Sequence, residues 1–241
     1  MKTLGRVLVF CLVLGALRLP SAGANSMFGY THIQPSPLTL SAGRLVFGTD
    51  VAYGVTDFFQ IGTNVVRDVY QFFNANAKVS LIELDEFALS PTFSFETYNL
   101  KNISELNPDL RVTSFMPGLT TAYGLAEDLA LFVAGNLNIT KTTLVTEGIT
   151  TSGLIRGAQI GSDLSWAYNP PAAKKGKDGK EVRRGVGNVF STGVSYDLTY
   201  KLFGVGLSHH WPGFHLGVHY YPNATKFPIQ PIIAGGGAVD L

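Results

Sequence analysis

The chain has 241 residues, of which 46% are hydrophobic, 12% aromatic and only 15% charged, with a formal net charge of +1. A soluble globular domain averages about 25% charged residues, so the chain is unusually apolar. Past the first twenty residues, however, it has no run of the roughly 20 apolar residues that a membrane-crossing helix needs. The near-neutral balance excludes the strongly basic face of a nucleic-acid binder, and the hydrophobicity must be spread over short segments.

The N-terminus reads as an export signal. Lys2 and Arg6 form a basic start, Val7 to Leu17 an apolar stretch, and Ala22-Gly23-Ala24 a small-x-small cleavage site. This pattern predicts a signal peptide over residues 1–24, cut before Asn25, with an apolar run too short for an anchor. The only cysteine, Cys11, lies inside it and lacks the small residues upstream that a lipid-attachment box requires. The exported part is then free of thiol and disulfide chemistry, although its compartment would permit disulfides. Without Lys2, Arg6 and Arg18 it carries 15 basic against 17 acidic residues.

From there the dominant signal is alternation. Leu45, Phe47, Thr49, Val51, Tyr53 and Val55 alternate with Val46, Gly48, Asp50, Ala52 and Gly54. Phe87 to Thr97 sets Phe87, Leu89, Pro91, Phe93 and Phe95 against Ala88, Ser90, Thr92, Ser94 and Glu96. Phe190 to Asp197 sets Phe190, Thr192, Val194 and Tyr196 against Ser191, Gly193, Ser195 and Asp197. Side chains on a strand point alternately to its two faces, so each strand has one large apolar face and one small, polar face. A soluble β-sandwich also alternates, but shows charge to solvent. Here the second face is Gly, Ala, Ser and Asn, the pattern of a barrel whose bulky residues meet lipid and whose small residues line a lumen. In lipid such a sheet must close to satisfy its backbone.

The expected strands run over 27–34, 43–55, 58–69, 75–84, 87–98, 110–125, 128–139, 144–153, 155–168, 186–197, 200–210 and 214–221. That is an all-β, antiparallel up-and-down transmembrane barrel of about 12 strands over residues 25–241, or 10 without the first and the 144–153 segments, with periplasmic terminal segments. Pro91 and Pro117 must sit at bulges or beyond the main ladder, because proline donates no hydrogen bond. Tyr53, Tyr123 and Tyr196 each precede a tight turn and are expected to mark one membrane border. Trp166, Tyr168 and Tyr98 are expected at the opposite one, aromatic rings with a polar handle suiting the headgroup level.

The stretch Tyr53-Gly54-Val55-Thr56-Asp57-Phe58-Phe59-Gln60-Ile61-Gly62, echoed at Tyr123-Gly124-Leu125-Ala126-Glu127-Asp128-Leu129, resembles the strand-turn-strand of uncharacterised Gram-negative outer-membrane barrels of the porin-like type. The resemblance covers most of the exported chain in pattern and only short stretches in residues. It implies outer-membrane localisation, lipid and lipopolysaccharide as surroundings, passage through periplasmic chaperones and the barrel-assembly machinery, and no particular activity or cofactor. Such barrels usually end in a strand with a terminal aromatic residue. This chain ends Ala238-Val239-Asp240-Leu241, so either the signal is internal or the tail after Pro222 forms a further strand.

Candidate lumen-lining residues are Asp50, Lys78, Glu96, Asp163, Asp197, His210, His215 and His219, with Arg111 and Arg156 also assigned inward. A basic loop, residues 169–185 with Lys174, Lys175, Lys177, Arg183 and Arg184, is expected to face outside the cell, where it would meet phosphate by charge pairing. Three functions follow: a porin-like channel for small solutes, a structural or surface-interaction barrel with a filled lumen, and a barrel hydrolase using the late histidines. No Cys/His zinc spacing, phosphate-cradling loop or catalytic motif matches, so no enzyme and no metal are expected.

Overall fold

The computed structural model describes residues 36–65, 72–100, 109–146, 148–168, 174–175, 181–182, 188–211, 214–225 and 228–240. The expected signal peptide and the segment Met27 to Gln34 lie outside the described residues, as do Lys177, Arg183 and Arg184.

The chain is all-β. Its strands are β1 (Arg44–Gly48), β2 (Asp50–Thr56), β3 (Phe59–Asn64), β4 (Phe72–Val79), β5 (Ile82–Glu83), β6 (Phe87–Leu100), β7 (Asp109–Ala126), β8 (Leu129–Thr146), β9 (Ile149–Tyr168), β10 (Lys174–Lys175), β11 (Glu181–Val182), β12 (Asn188–Asp197), β13 (Leu202–Trp211), β14 (Phe214–Tyr220) and β15 (Ile229–Asp240). β10 and β11 pair only with each other. The other thirteen form one antiparallel sheet in the order β4-β3-β2-β1-β15-β14-β13-β12-β9-β8-β7-β6-β5. β4 takes a second partner, β6, from Phe72↔Tyr98 to Lys78↔Thr92.

Two expectations are corrected and one that was left open is decided. The segment 43–55 is not one strand but the hairpin β1–β2, with Leu45↔Tyr53 and Val46↔Ala52 as partners. Its turn pairs odd residues with odd, so the alternation runs through it unbroken and hides it. Segments 128–139, 144–153 and 155–168 are two long strands, β8 and β9. The polar run around Asn138 to Thr143 is strand, and the chain reverses near Gly148, whose φ is +83°, a left-handed conformation that glycine adopts without steric cost. The tail after Pro222 forms β15, which pairs with β14 on one side and with β1 on the other, Arg44↔Asp240 to Gly48↔Gly236.

Merging three strands into two reverses every later strand relative to expectation. The turns at 57–58 and 127–128 share one end of the sheet, here called proximal. The turn at 198–201 lies at the other, distal end. Trp166 pairs with Leu129, so the loop after Tyr168 leaves from the proximal end. The distal placement expected for that loop is therefore overturned, and Tyr196 stands opposite Tyr53 and Tyr123.

Pro91 and Pro117 are not at bulges or beyond the ladder as expected: both lie within the continuous β6–β7 register, Pro91↔Leu119 and Phe93↔Pro117, and each meets a break in pairing on its strand's other side, where a missing donor costs nothing. The β4–β6 pairing stops at Thr92 and the β5–β6 pairing begins at Leu89, leaving Pro91 between them. The β7–β8 partners run to Phe115 and resume at Gly118, skipping Pro117. The pairing is also staggered. One row of partners, Gly54, Gln60, Lys78, Thr92, Gly118, Asn136, Gln159 and Asp197, starts beside the proximal turn at 57–58 and ends at the distal turn after β12.

The two faces are inverted relative to a soluble sheet. Tyr53, Ile61, Phe95, Leu119, Tyr123, Leu137, Ile160, Trp166, Val194 and Leu216 are all exposed. On the other face Ser90, Thr120, Asp163, Ser165, Ser191, Ser208 and His215 are at most 4% exposed. Burying a polar group is costly without a partner; Ser90, Ser165 and Ser191 have hydrogen bonds along this face, whereas the ring nitrogens of His215 have none among the described residues.

Candidate functional site

The polar face carries the acids and the late histidines that the alternation assigned to it. Register places Asp50, Lys78, Glu96, Asp163, Asp197, His210, His215 and His219 on this face. Arg111 and Arg156 fall on the apolar face instead, because Arg111 pairs with Asn99 and Arg156 with Ile139. Tyr98 shares the polar face with Glu96 and is not a border residue; it pairs with Val112, 9% exposed.

At the proximal end this face is covered by the chain itself. Residues 36–43, just before β1, cross it. Pro37 is fully buried and its carbonyl accepts a hydrogen bond from Ser90 Oγ. Lys78 Nζ donates to Ser36 O at 3.0 Å, Leu40 N donates to Gln60 Oε1 at 3.0 Å, and Ala42 N donates to Asp57 Oδ1 at 2.9 Å. Leu38 packs on an apolar cluster of Ala88, Ala122, Ala130, Phe132, Ala167 and Val189, which come from β6, β7, β8, β9 and β12. Gly54 lets the segment approach: a Cβ there would stand 2.1 Å from Ser41 O. Sequence reasoning missed this segment. Its signal was available in Pro35-Ser36-Pro37, which cannot continue a ladder yet is followed by apolar Leu38 and Leu40.

Further along the face, Ser165 Oγ donates to Asp163 Oδ2 at 2.9 Å and lies 2.7 Å from Ser191 Oγ. His210 and His215 are cross-strand partners with ring centroids 6.0 Å apart. Both ring nitrogens of His215 are buried without a hydrogen-bond partner among the described residues. His219 is separate from them. Its Nε2 is 3.0 Å from Ser195 Oγ and its ring stacks on Tyr221 at 4.7 Å. Ser195 and His219 have the spacing of a nucleophile and its base. Asp197, the nearest acid on the same strand, is instead committed to its turn, its Oδ1 accepting from Thr199 N and Tyr200 N. Among the described residues no group of three or more His, Cys, Asp or Glu is arranged around a metal position. At the distal end a cavity of about 120 Å³ lies between Asn136, Asn138, Thr140, Gln159, Asp197 and Thr199.

On the apolar face, tyrosine and tryptophan stand near both ends of the sheet, with Phe73, Phe93, Phe95 and Phe115 in contact between them. At the proximal end Trp166, Tyr168, His209, Trp211 and Phe214 form a run of successive ring contacts, with Trp166 Nε1 donating to Asp128 Oδ2 at 3.1 Å and Tyr168 OH bonded to His209 Nε2. Tyr53 and Tyr123 stand at the same end. Tyr196 and Tyr220 stand at the distal end. Of the basic loop, Lys174 and Lys175 form β10 and pair with Val182 and Glu181 of β11.

No protein-family model, no curated protein and no solved structure matches this chain.

Proposed function

We propose that the sheet closes into a transmembrane barrel of twelve strands, exported behind a cleaved signal peptide to a bacterial outer membrane, with its lumen plugged from the proximal end by residues 36–43. The observation that carries the reading is the inverted burial: large apolar side chains exposed on one face, small polar ones buried on the other. Only a solvent of hydrocarbon makes that arrangement favourable. Closure is supported by the two partners of β4 and the two of β15, and by a staggered register of the kind that tilted barrel strands require. The aromatic groups at the two ends suit two headgroup levels. The even strand count leaves both chain ends at the proximal side, which in this reading is periplasmic, so the basic loop after Tyr168 is periplasmic too. Lipid and lipopolysaccharide are the surroundings, and periplasmic chaperones with the barrel-assembly machinery are the delivery route.

With its lumen filled by the apolar cluster and Leu38, the barrel works as a structural or surface-interaction protein. The porin-like reading keeps one supporting observation, the mixed-charge polar face, and would need the plug to leave. Planar-bilayer recording separates the two. The full chain is expected to show no steady conductance, whereas a variant lacking residues 25–40 conducts. Steady open-pore current from the full chain would overturn the plugged reading.

A further inference from the structure

Among the described residues of the sheet, three cations stand on the apolar face, which a membrane barrel tolerates near the hydrocarbon border and not at its centre. Arg111 on β7, Lys141 on β8 and Arg156 on β9 are all exposed. Arg111 pairs with Thr143, two residues from Lys141; Lys141 pairs with Leu154, two residues from Arg156. Each cation is therefore the diagonal neighbour of the next, about 7–8 Å away across the sheet. From β7 to β9 the cations step toward the proximal end by two residues per strand. The rows of partners climb toward the distal end in the same direction, from Gly118 through Asn136 and Gln159 to Asp197. The two displacements oppose each other, which sets the three charges near one level. Below that level the same strands present Leu137, Leu119 and Ile160, and ten residues farther along β9 Trp166 marks the other border, the length of strand that spans hydrocarbon. Among the described residues of β7, β8 and β9 beyond this level, the one acid on this face is Asp109.

We propose that Arg111, Lys141 and Arg156 bind the phosphate of an anionic lipid in the distal leaflet. The ligand is a lipid headgroup and not free phosphate, since the charges sit at the rim of an apolar wall. Acyl chains lie along Leu137 and Ile160 while the phosphate is held by charge-assisted hydrogen bonds, the long basic stems lying over apolar surface. This rests on the membrane-barrel reading.

The test refolds the full chain into phosphatidylcholine vesicles containing a minority of phosphatidylglycerol, extracts it in mild detergent, and measures the co-purifying lipid by mass spectrometry. Phosphatidylglycerol is expected to be enriched roughly fivefold over the vesicle composition. The triple variant Arg111→Gln, Lys141→Gln, Arg156→Gln should insert equally well yet retain lipid at bulk composition. A charge-keeping variant, Arg111→Lys with Arg156→Lys, should keep most of the enrichment, which guards against a folding defect in the triple variant. Insertion without enrichment, or equal enrichment in the triple variant, overturns the site. Failure of the unaltered chain to enter vesicles at all overturns the membrane reading beneath it.

Discussion

Residues 36–43, which the barrel reading makes a lumen plug, depend on small side chains facing them. Gly54 lies on the polar face of β2 and a Cβ there would meet Ser41 O at 2.1 Å and Leu40 O at 2.8 Å. Valine suits the strand itself, so Gly54→Val should spare β2 and expel the plug, an overpacking cost of about 1–3 kcal/mol falling on residues 36–43. The readout is labelling of a Leu38→Cys reporter, with Cys11→Ser, by a water-soluble maleimide. Leu38 is packed against the apolar cluster of Ala88, Ala122, Ala130, Phe132, Ala167 and Val189, so labelling should be slow in the parent and fast with Gly54→Val. Equal labelling in both would mean that this contact does not hold the segment. Gly204 has a similar role deeper in the face, where a Cβ would stand 2.6 Å from His219 Nε2 and 2.7 Å from Ser195 Oγ.

At the scale of elements, β9 is informative because its two halves differ. Residues 159–166 are paired on both sides, with β8 and β12, and residues 159–168 alternate between more exposed and buried. Residues 149–158 lack a ladder to β12, and Ile149 to Arg156 are exposed on both faces. The membrane reading assigns the first of these stretches to hydrocarbon and the second to the far side of the border. Ile160→Arg should then destabilise the barrel by about 2–4 kcal/mol, whereas Ser152→Arg should change stability little. Urea unfolding in phospholipid vesicles measures both. Equal costs at the two positions would remove the hydrocarbon boundary from where Arg156 sets it. The alternation predicted the faces of this strand from Ile160 onward, but no local signal distinguishes a strand that stops at a border from one that continues.

For the whole molecule the decisive property is closure, and two seams test it. Phe95 pairs with Ala75 across β6 and β4, and Leu45 pairs with Val239 across β1 and β15. In a Cys11→Ser background, Ala75→Cys with Phe95→Cys, and Leu45→Cys with Val239→Cys, should each form a disulfide, since facing strand positions lie within the Cα range that a disulfide bridges. With all four cysteines present, both should form in one molecule, detected as a compact band on a non-reducing gel and by mass. Formation of only one of the two would mean an open sheet. Apolar side chains become tolerable on the whole outer surface only when no unpaired edge remains.

The sequence by itself determined the secondary-structure class and the two faces. Alternation with period two is a local property, visible in Phe87 to Thr97 or Phe190 to Asp197 without knowledge of any partner. It also placed Asp163, His215 and His219 on the polar side. Tertiary structure alone decided where the chain reverses, which end each strand reaches, and what fills the polar face. The β1–β2 hairpin preserves parity, so the pattern cannot report it. The β8–β9 turn falls within a run of polar strand residues, so its position fixed the end at which Tyr196 and the basic loop emerge. The tail gained its meaning as β15 by lying between β14 and β1, neighbours that are distant in the chain. The pairing of Ser195 with His219 and the packing of Leu38 on the apolar cluster of β6 to β12 likewise join residues remote in sequence, and long-range contacts of that kind leave no periodic signature.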